Sequence, residues 1–218
     1  MIQRPSSQKS AWATWPKAFA LTFMLMAVQA ASVGQEQLAA SMGETRNEVI
    51  ATRDQLQSTV DALDALVKQK EGDLKPGYDG FVQQVSKTQA TAELTKSRAK
   101  KMETDAKMHF EGWQKEIDGV ANESLRKKGQ KRLDNVQKSY NRTIATLQGA
   151  STGFEPFLSD LGDVKKILAN DLTKDGLKSI RSTVSQAKFD LRIVRSHLFD
   201  AIKELDSMQN SLSSAASK

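Results

Sequence analysis

Leucine or valine returns every seven residues between Leu177 and Leu212, at Leu177, Val184, Leu191, Leu198, Leu205 and Leu212. A second series follows three residues behind it, at Ile180, Ala187, Val194, Ala201 and Met208. Apolar positions spaced alternately three and four apart fall on one stripe of an α-helix, the pattern of a helix packed lengthwise on another. Phe189, Ile193, Phe199 and Ile202 lie off that stripe. They give the helix a second apolar flank, which a bundle would cover between neighbouring helices.

The same period runs through the preceding chain. A first helix is predicted from about Gln35 to Lys70, with Met42, Val49, Leu56 and Leu63 on one seam position and Val60 and Val67 on the other. Arg46 and Arg53 occupy that second position earlier in the helix, so its first half reads as weak. Glu71 to Gly80 carries three Gly and one Pro, a turn; Asp73 is the candidate N-cap, which places Pro76 in the first turn. A second helix reaches about Val120, with Tyr78, Val85, Ala92, Ala99, Ala106, Trp113 and Val120 in series. Its three alanines predict close approach by a neighbour and a narrow waist. Asn122 is the N-cap expected for a third helix, about Glu123 to Ala169, carrying Leu133, Tyr140, Leu147, Phe154, Leu161 and Leu168. The phase passes unbroken through Pro156, which predicts a kink rather than two helices. Thr173 is the candidate N-cap of the fourth, with Asp175 in its first turn.

No alternating strand pattern interrupts this. The prediction is all-α: an elongated antiparallel up-down-up-down bundle of four long helices with coiled-coil-like heptad seams, each helix about 55 to 70 Å long at ~1.5 Å per residue. Composition agrees, with 27% charged and only 6% aromatic residues, 12 Gly and 4 Pro in 218 residues. Such a chain buries stripes and leaves most of each helix wet.

The first 30 residues form a separate unit. Arg4, Lys9 and Lys17 precede the uncharged run Ala18 to Val28, and Val28-Gln29-Ala30 supplies small residues at the −3 and −1 positions of a cleavage site. That is the layout of a secretory signal peptide over residues 1–30, with the bundle domain over 31–218. Residues 31–36 read as a short polar lead. The apolar run is about half the ~20 residues a spanning helix needs, so a cleaved leader is favoured over an anchor. No cysteine follows the run, which excludes a lipid-anchored form, and no second apolar run follows, so no integral span is expected after cleavage. The expected location is periplasmic or secreted. Without cysteine, stability rests on helix packing.

The formal charge of +6 is partly a property of the leader: removing its three basic residues leaves 29 basic against 26 acidic ones. That small excess argues against a nucleic-acid partner.

Several short motifs mark the chain in fixed order: Gly72-Asp73-Leu74 followed by Tyr78, then Phe110-x-x-Trp113 with Glu116, then Asn122-Glu-Ser-Leu-Arg126, Leu133 and Tyr140. Pro156, the segment Lys166-Ile-Leu-Ala-Asn-Asp-Leu172 and Ile180 complete the set. In this the chain resembles an uncharacterised bacterial family, the domain of unknown function twenty-nine fifty-nine, over nearly all of the part after the leader. The resemblance implies an exported helical protein and no activity or functional residue. Some members look like lipoproteins; the missing leader cysteine departs from them.

Candidate chemistry is sparse. His109 and His197 lack the Glu-x-x-His pattern of a bundle metal site, since Ala106 and Val194 stand three residues before them. They read as surface or flanking histidines. No nucleophile elbow or Gly-rich phosphate loop is present. Trp113 with Phe110, and the tyrosines Tyr78 and Tyr140, sit at seam spacing and read as core. No catalytic residue, metal or cofactor is expected. One cluster stands out: Arg126, Lys127, Lys128, Lys131 and Arg132 lie near the start of a helix, where the dipole disfavours cations. They are candidate ligands for anions such as the headgroups of an anionic membrane surface. No aromatics interleave them, which counts against single-stranded nucleic acid. The functional expectation is a non-enzymatic structural or protein-interaction module of the bacterial envelope, binding an unidentified protein partner or a second copy of itself. The alternative is a peripheral binder of anionic envelope surfaces through residues 126–132.

Overall fold

The computed structural model describes the backbone of residues 17–216 and the side chains of residues 34–212. The chain is all-α and forms a helical bundle. Its described elements are α1 (Lys17–Lys68), α2 (Lys75–Asp118), α3 (Glu123–Asn170), α4 (Lys174–Ser179) and α5 (Arg181–Ala216). No strand occurs among the described residues. The leader expected over residues 1–30 lies outside them, apart from the backbone from Lys17 onward. Residues 31–36, expected as a polar lead, are instead part of α1. No helix of the described residues is long and apolar enough to cross a membrane.

Contacts between neighbours run in opposite residue order. On α1 and α2, Gly34 lies beside His109 and Leu66 beside Gly77. On α1 and α5, Arg46 pairs with Asp206 at 2.5 Å, and Lys188 pairs with Asp64. On α3 and α5, Arg142 pairs with Glu204 and Gly153 approaches His197. On α2 and α3, Gln114 bonds Gln130 while the Tyr78 hydroxyl donates to the Lys165 carbonyl. The α1–α2 pairing is the most extensive, and α2–α3 the sparsest of the four.

The heptad residues of the last helix are buried throughout, from Leu177 and Ile180 to Met208 and Leu212. That helix is two, which makes five described helices where four were expected. A helical ladder would give the Gly176 carbonyl to the Ile180 N–H. The Ser179 hydroxyl takes that carbonyl at 2.7 Å, and Ile180 donates to Lys178 instead. The ladder is interrupted at Ile180, and α5 resumes it with Val184 N–H donating to the Ile180 carbonyl at 2.9 Å. Pro156 lies inside α3, which continues on both sides of it.

The caps follow the sequence with one change. Asn122 accepts from Leu125 N–H at 3.1 Å, and Thr173 accepts from Gly176 N–H at 3.1 Å. Asp175 stands in the first turn of α4 and pairs with Lys178. At α2 the N-cap is Leu74 rather than Asp73, with Pro76 still within the first turn. Asp73 instead accepts from Lys75 N–H at 2.9 Å and shapes the turn before it. Two glycines are obligatory: Gly72 sits at φ +89°, and a Cβ on Gly176 would lie 2.1 Å from the Asp171 carbonyl oxygen.

The first helix uses a different second seam from the one expected. Leu38, Thr45, Thr52, Thr59 and Leu66 recur every seven residues and are all buried, beside the buried series Met42, Val49, Leu56 and Leu63. Arg46 and Arg53 therefore flank the seam and reach Asp206 and Asp54. Val60 is buried, but Val67 is only partly covered. The facing series on α2 is Phe81, Thr88, Thr95, Met102 and His109. Threonines meet across the interface, Thr59 Oγ1 to Thr88 Oγ1 at 2.7 Å and Thr52 Oγ1 to Thr95 Oγ1 at 2.9 Å. Their remaining hydrogen-bond capacity goes to helix carbonyls, including Glu48 O from Thr95 and Gln84 O from Thr88. Small hydroxylated residues let α1 and α2 approach closely without leaving a polar group unpaired.

Candidate functional site

Three surface features could engage a ligand or partner. The first is the basic cluster at the start of α3. Arg126, Lys127, Lys128, Lys131 and Arg132 are all exposed. At ~100° per residue, Lys127, Lys128, Lys131 and Arg132 share one side of the helix, and Arg126 points away from them. Lys127 is paired with Glu123 at 2.7 Å, and Arg132 donates to the Ser211 carbonyl at 3.3 Å. Among the described residues Arg126, Lys128 and Lys131 form no ion pair. The cluster lies at the end of the bundle that holds Gln35 of α1 and Leu212 of α5, since Gln35 donates to the Leu212 carbonyl next to the Ser211 carbonyl that Arg132 takes.

Beside Arg132 at the same end, a pocket of about 290 Å³ is lined by His109, Trp113, Glu116, Val136 and Leu212. His109 is not a surface histidine. It completes the Phe81 to His109 series and is only 8% exposed, with its ring 5.5 Å from Phe110 and 5.7 Å from Trp113. Burial lowers its pKa, and burial raises that of Glu116. Trp113, expected in the core, is only partly covered at the rim of the pocket. Phe110 is buried and meets Tyr140 edge-on at 5.5 Å. The Tyr140 hydroxyl is buried without a hydrogen-bond partner among the described residues, and desolvation raises its pKa, with Glu103 adding to the effect. His197, in contrast, is exposed. No group of three or more His, Asp or Glu side chains able to hold a metal occurs among the described residues.

The third feature is the outer side of α5. Its main neighbours are α1 and α3, which cover Leu191, Val194 and Leu198. The second apolar flank, expected to be covered, is mostly bare: Phe189 is 49%, Ile193 42% and Phe199 54% exposed, and only Ile202 is buried. Helix geometry puts Phe189 and Ile193 on the side away from the core, because two long neighbours cover only part of the circumference. Basic groups sit over both rings, with the Arg192 guanidinium 5.4 Å from the Phe189 centroid and Lys203 Nζ 5.9 Å from that of Phe199.

Together these features define an all-α bundle with exposed apolar side chains on the outer side of α5 and an exposed basic end. A family model described as protein of unknown function (DUF2959) matches residues 30–212, and the chain belongs to that family. No curated protein and no solved structure matches the chain.

Proposed function

We propose that this protein is a non-enzymatic interaction module of the bacterial envelope, whose elongated antiparallel bundle with coiled-coil-like seams presents the outer face of α5 to a protein partner or a second copy. The observation that carries this reading is the exposure of Phe189 and Ile193, one turn apart on the outer side of α5, with Phe199 exposed on the flank beside them. Monomeric proteins seldom leave apolar side chains grouped in this way without a use for them. The leader pattern of residues 1–30 supports export to the periplasm or beyond, with cleavage after Ala30. A direct test is the sedimentation of the native protein from envelope fractions, compared with a Phe189→Glu/Phe199→Glu variant. The wild type should travel in a larger species from which the variant is released. Identical sedimentation of the two would overturn the reading.

A second reading, peripheral contact with an anionic membrane surface, draws on the placement of the basic cluster. Residues 126–132 lie at the end of the bundle that holds Gln35, so while the leader is still attached this end would be the one nearer the membrane. Neutralising all five basic residues should abolish salt-sensitive binding to phosphatidylglycerol vesicles; undiminished binding would exclude the cluster.

A further inference from the structure

The waist expected to be narrow at the three alanines of α2 is open toward α3, where Ala92 and Ala99 line a cleft. Toward α1, the threonine pairs bring α2 close. Toward α3, the helices stand apart and leave a cleft of about 380 Å³ reaching to Leu198 of α5. Its walls are mainly apolar, among them Ala92, Ala99, Ile144, Leu147 and Phe154. That volume falls within the ~300–1,000 Å³ typical of small-ligand sites.

The chemistry of the walls defines the occupant. Thr52 and Thr95, the hydroxyl residues on the α1 side of the cleft, bond each other and the Glu48 carbonyl. These two make no demand on water; Gln148 and Ser151 are the other uncharged polar residues of a mainly apolar lining, which favours a guest that is apolar over most of its length. At the rim stand Lys96, Lys100 and Glu103, each about one turn from the next on α2, and among the described residues Glu103 makes no ion pair with Lys100. Lys96 is already bridged to Glu93 and Glu155 at 3.4 Å each. Lys100 forms no ion pair among the described residues, which makes it the available cation at the mouth.

We infer that this cleft between α2 and α3 binds one single-chain amphiphile with an anionic head, its hydrocarbon chain among Ala99, Leu147 and Phe154 and its carboxylate at Lys100. The site is separate from the outer face of α5, so it can hold or fail independently of the function proposed above.

Calorimetric titration of the full chain with monomeric dodecanoate, dodecanol and dodecyltrimethylammonium tests it. Dodecanoate should bind saturably at one per chain, ahead of dodecanol, with the cationic amphiphile weakest. Ala99→Leu fills the cleft while keeping a good helix former, and should weaken dodecanoate by about tenfold or more while raising the melting temperature. Ala99→Met serves the same purpose with a more adaptable side chain if the leucine variant does not fold. Lys100→Gln should erase the preference for dodecanoate over dodecanol and leave dodecanol binding unchanged. Phe189→Glu/Phe199→Glu should leave all three titrations unchanged. Absence of saturable binding by the wild type, or full binding by a folded Ala99 variant, overturns the proposal. Loss of binding in the α5 variant would move the site to that face and overturn it equally.

Discussion

The threonine pair at the centre of the α1–α2 interface permits a quantitative test of how these helices are held in register. Thr59 and Thr88 are fully buried and their hydroxyls lie 2.7 Å apart. Thr59→Val preserves branching at Cβ and nearly preserves helix propensity, so its cost reports the hydroxyl. Thr88 would still donate to the Gln84 carbonyl at 3.1 Å, so no donor is orphaned. The loss should be that of one ordinary buried hydrogen bond, about 1 kcal/mol, and Thr88→Val should cost a similar amount. In the double variant both hydroxyls are replaced by methyl groups in a dry interface, and the Gln84 carbonyl keeps Gln55 Nε2 at 3.3 Å. Replacing both partners by apolar groups of the same shape is close to neutral, so the double variant should lose well under ~1 kcal/mol. Two independent losses would total about 2, so the predicted coupling is about 1 to 2 kcal/mol. Urea denaturation of the four proteins measures this, with m unchanged if the native state is intact. An additive double variant would refute the hydroxyl contact and, with it, the registration of α1 on α2.

Three further outcomes follow from buried polar groups and one close approach. Tyr140→Phe should raise stability by about 1 kcal/mol, because the hydroxyl it removes is buried without a partner; denaturant midpoints check this. Gly176→Ala should cost about 1 to 3 kcal/mol or more by the same assay, since its Cβ would meet the Asp171 carbonyl at 2.1 Å. The pKa of His109 is lower in the folded chain than the ~6.5 of an unfolded one, so between the two values the unfolded state binds more of the proton than the folded state does. Stability should therefore fall as pH drops from roughly 6.5 toward the folded-state value, and His109→Met should flatten that part of a melting-temperature profile. Glu116 works in the opposite sense: its raised pKa makes stability increase as pH falls toward about 4.5, which separates the two contributions by direction.

The helical class was legible because the seven-residue apolar repeat is long and polar residues fill the other positions. Caps such as Asn122 and Thr173 were legible for a local reason: a side chain and a backbone N–H three residues on suffice to make them. What escaped was the polar half of the seam. Thr45, Thr52 and Thr59 are spaced at seven between Leu38 and Leu66, yet a search for apolar residues passes over them, and Arg46 and Arg53 were placed in the seam one residue too late. His109 was missed for the same reason, since it closes a series containing Thr88 and Thr95. The alanines of α2 show a different limit. A small residue permits close approach but does not say which neighbour makes it, and here α1 does while α3 stands off. The α5 flank depended on how many long helices cover that side, a tertiary fact that periodicity does not carry. The basic cluster was visible as charge, but the separation of Arg126 from the other four emerges only once they are wound on a helix.

The central claim is that the outer face of α5 meets a protein in the envelope, and the most direct measurement is photo-crosslinking in living cells from a reactive residue placed at Ile193. A second reactive residue at the exposed Lys107 on α2 serves as the control. A discrete protein adduct from position 193, absent from position 107 and lost in the Phe189→Glu/Phe199→Glu background, is the predicted result. No adduct from position 193, or the same adducts from both positions, would contradict the account.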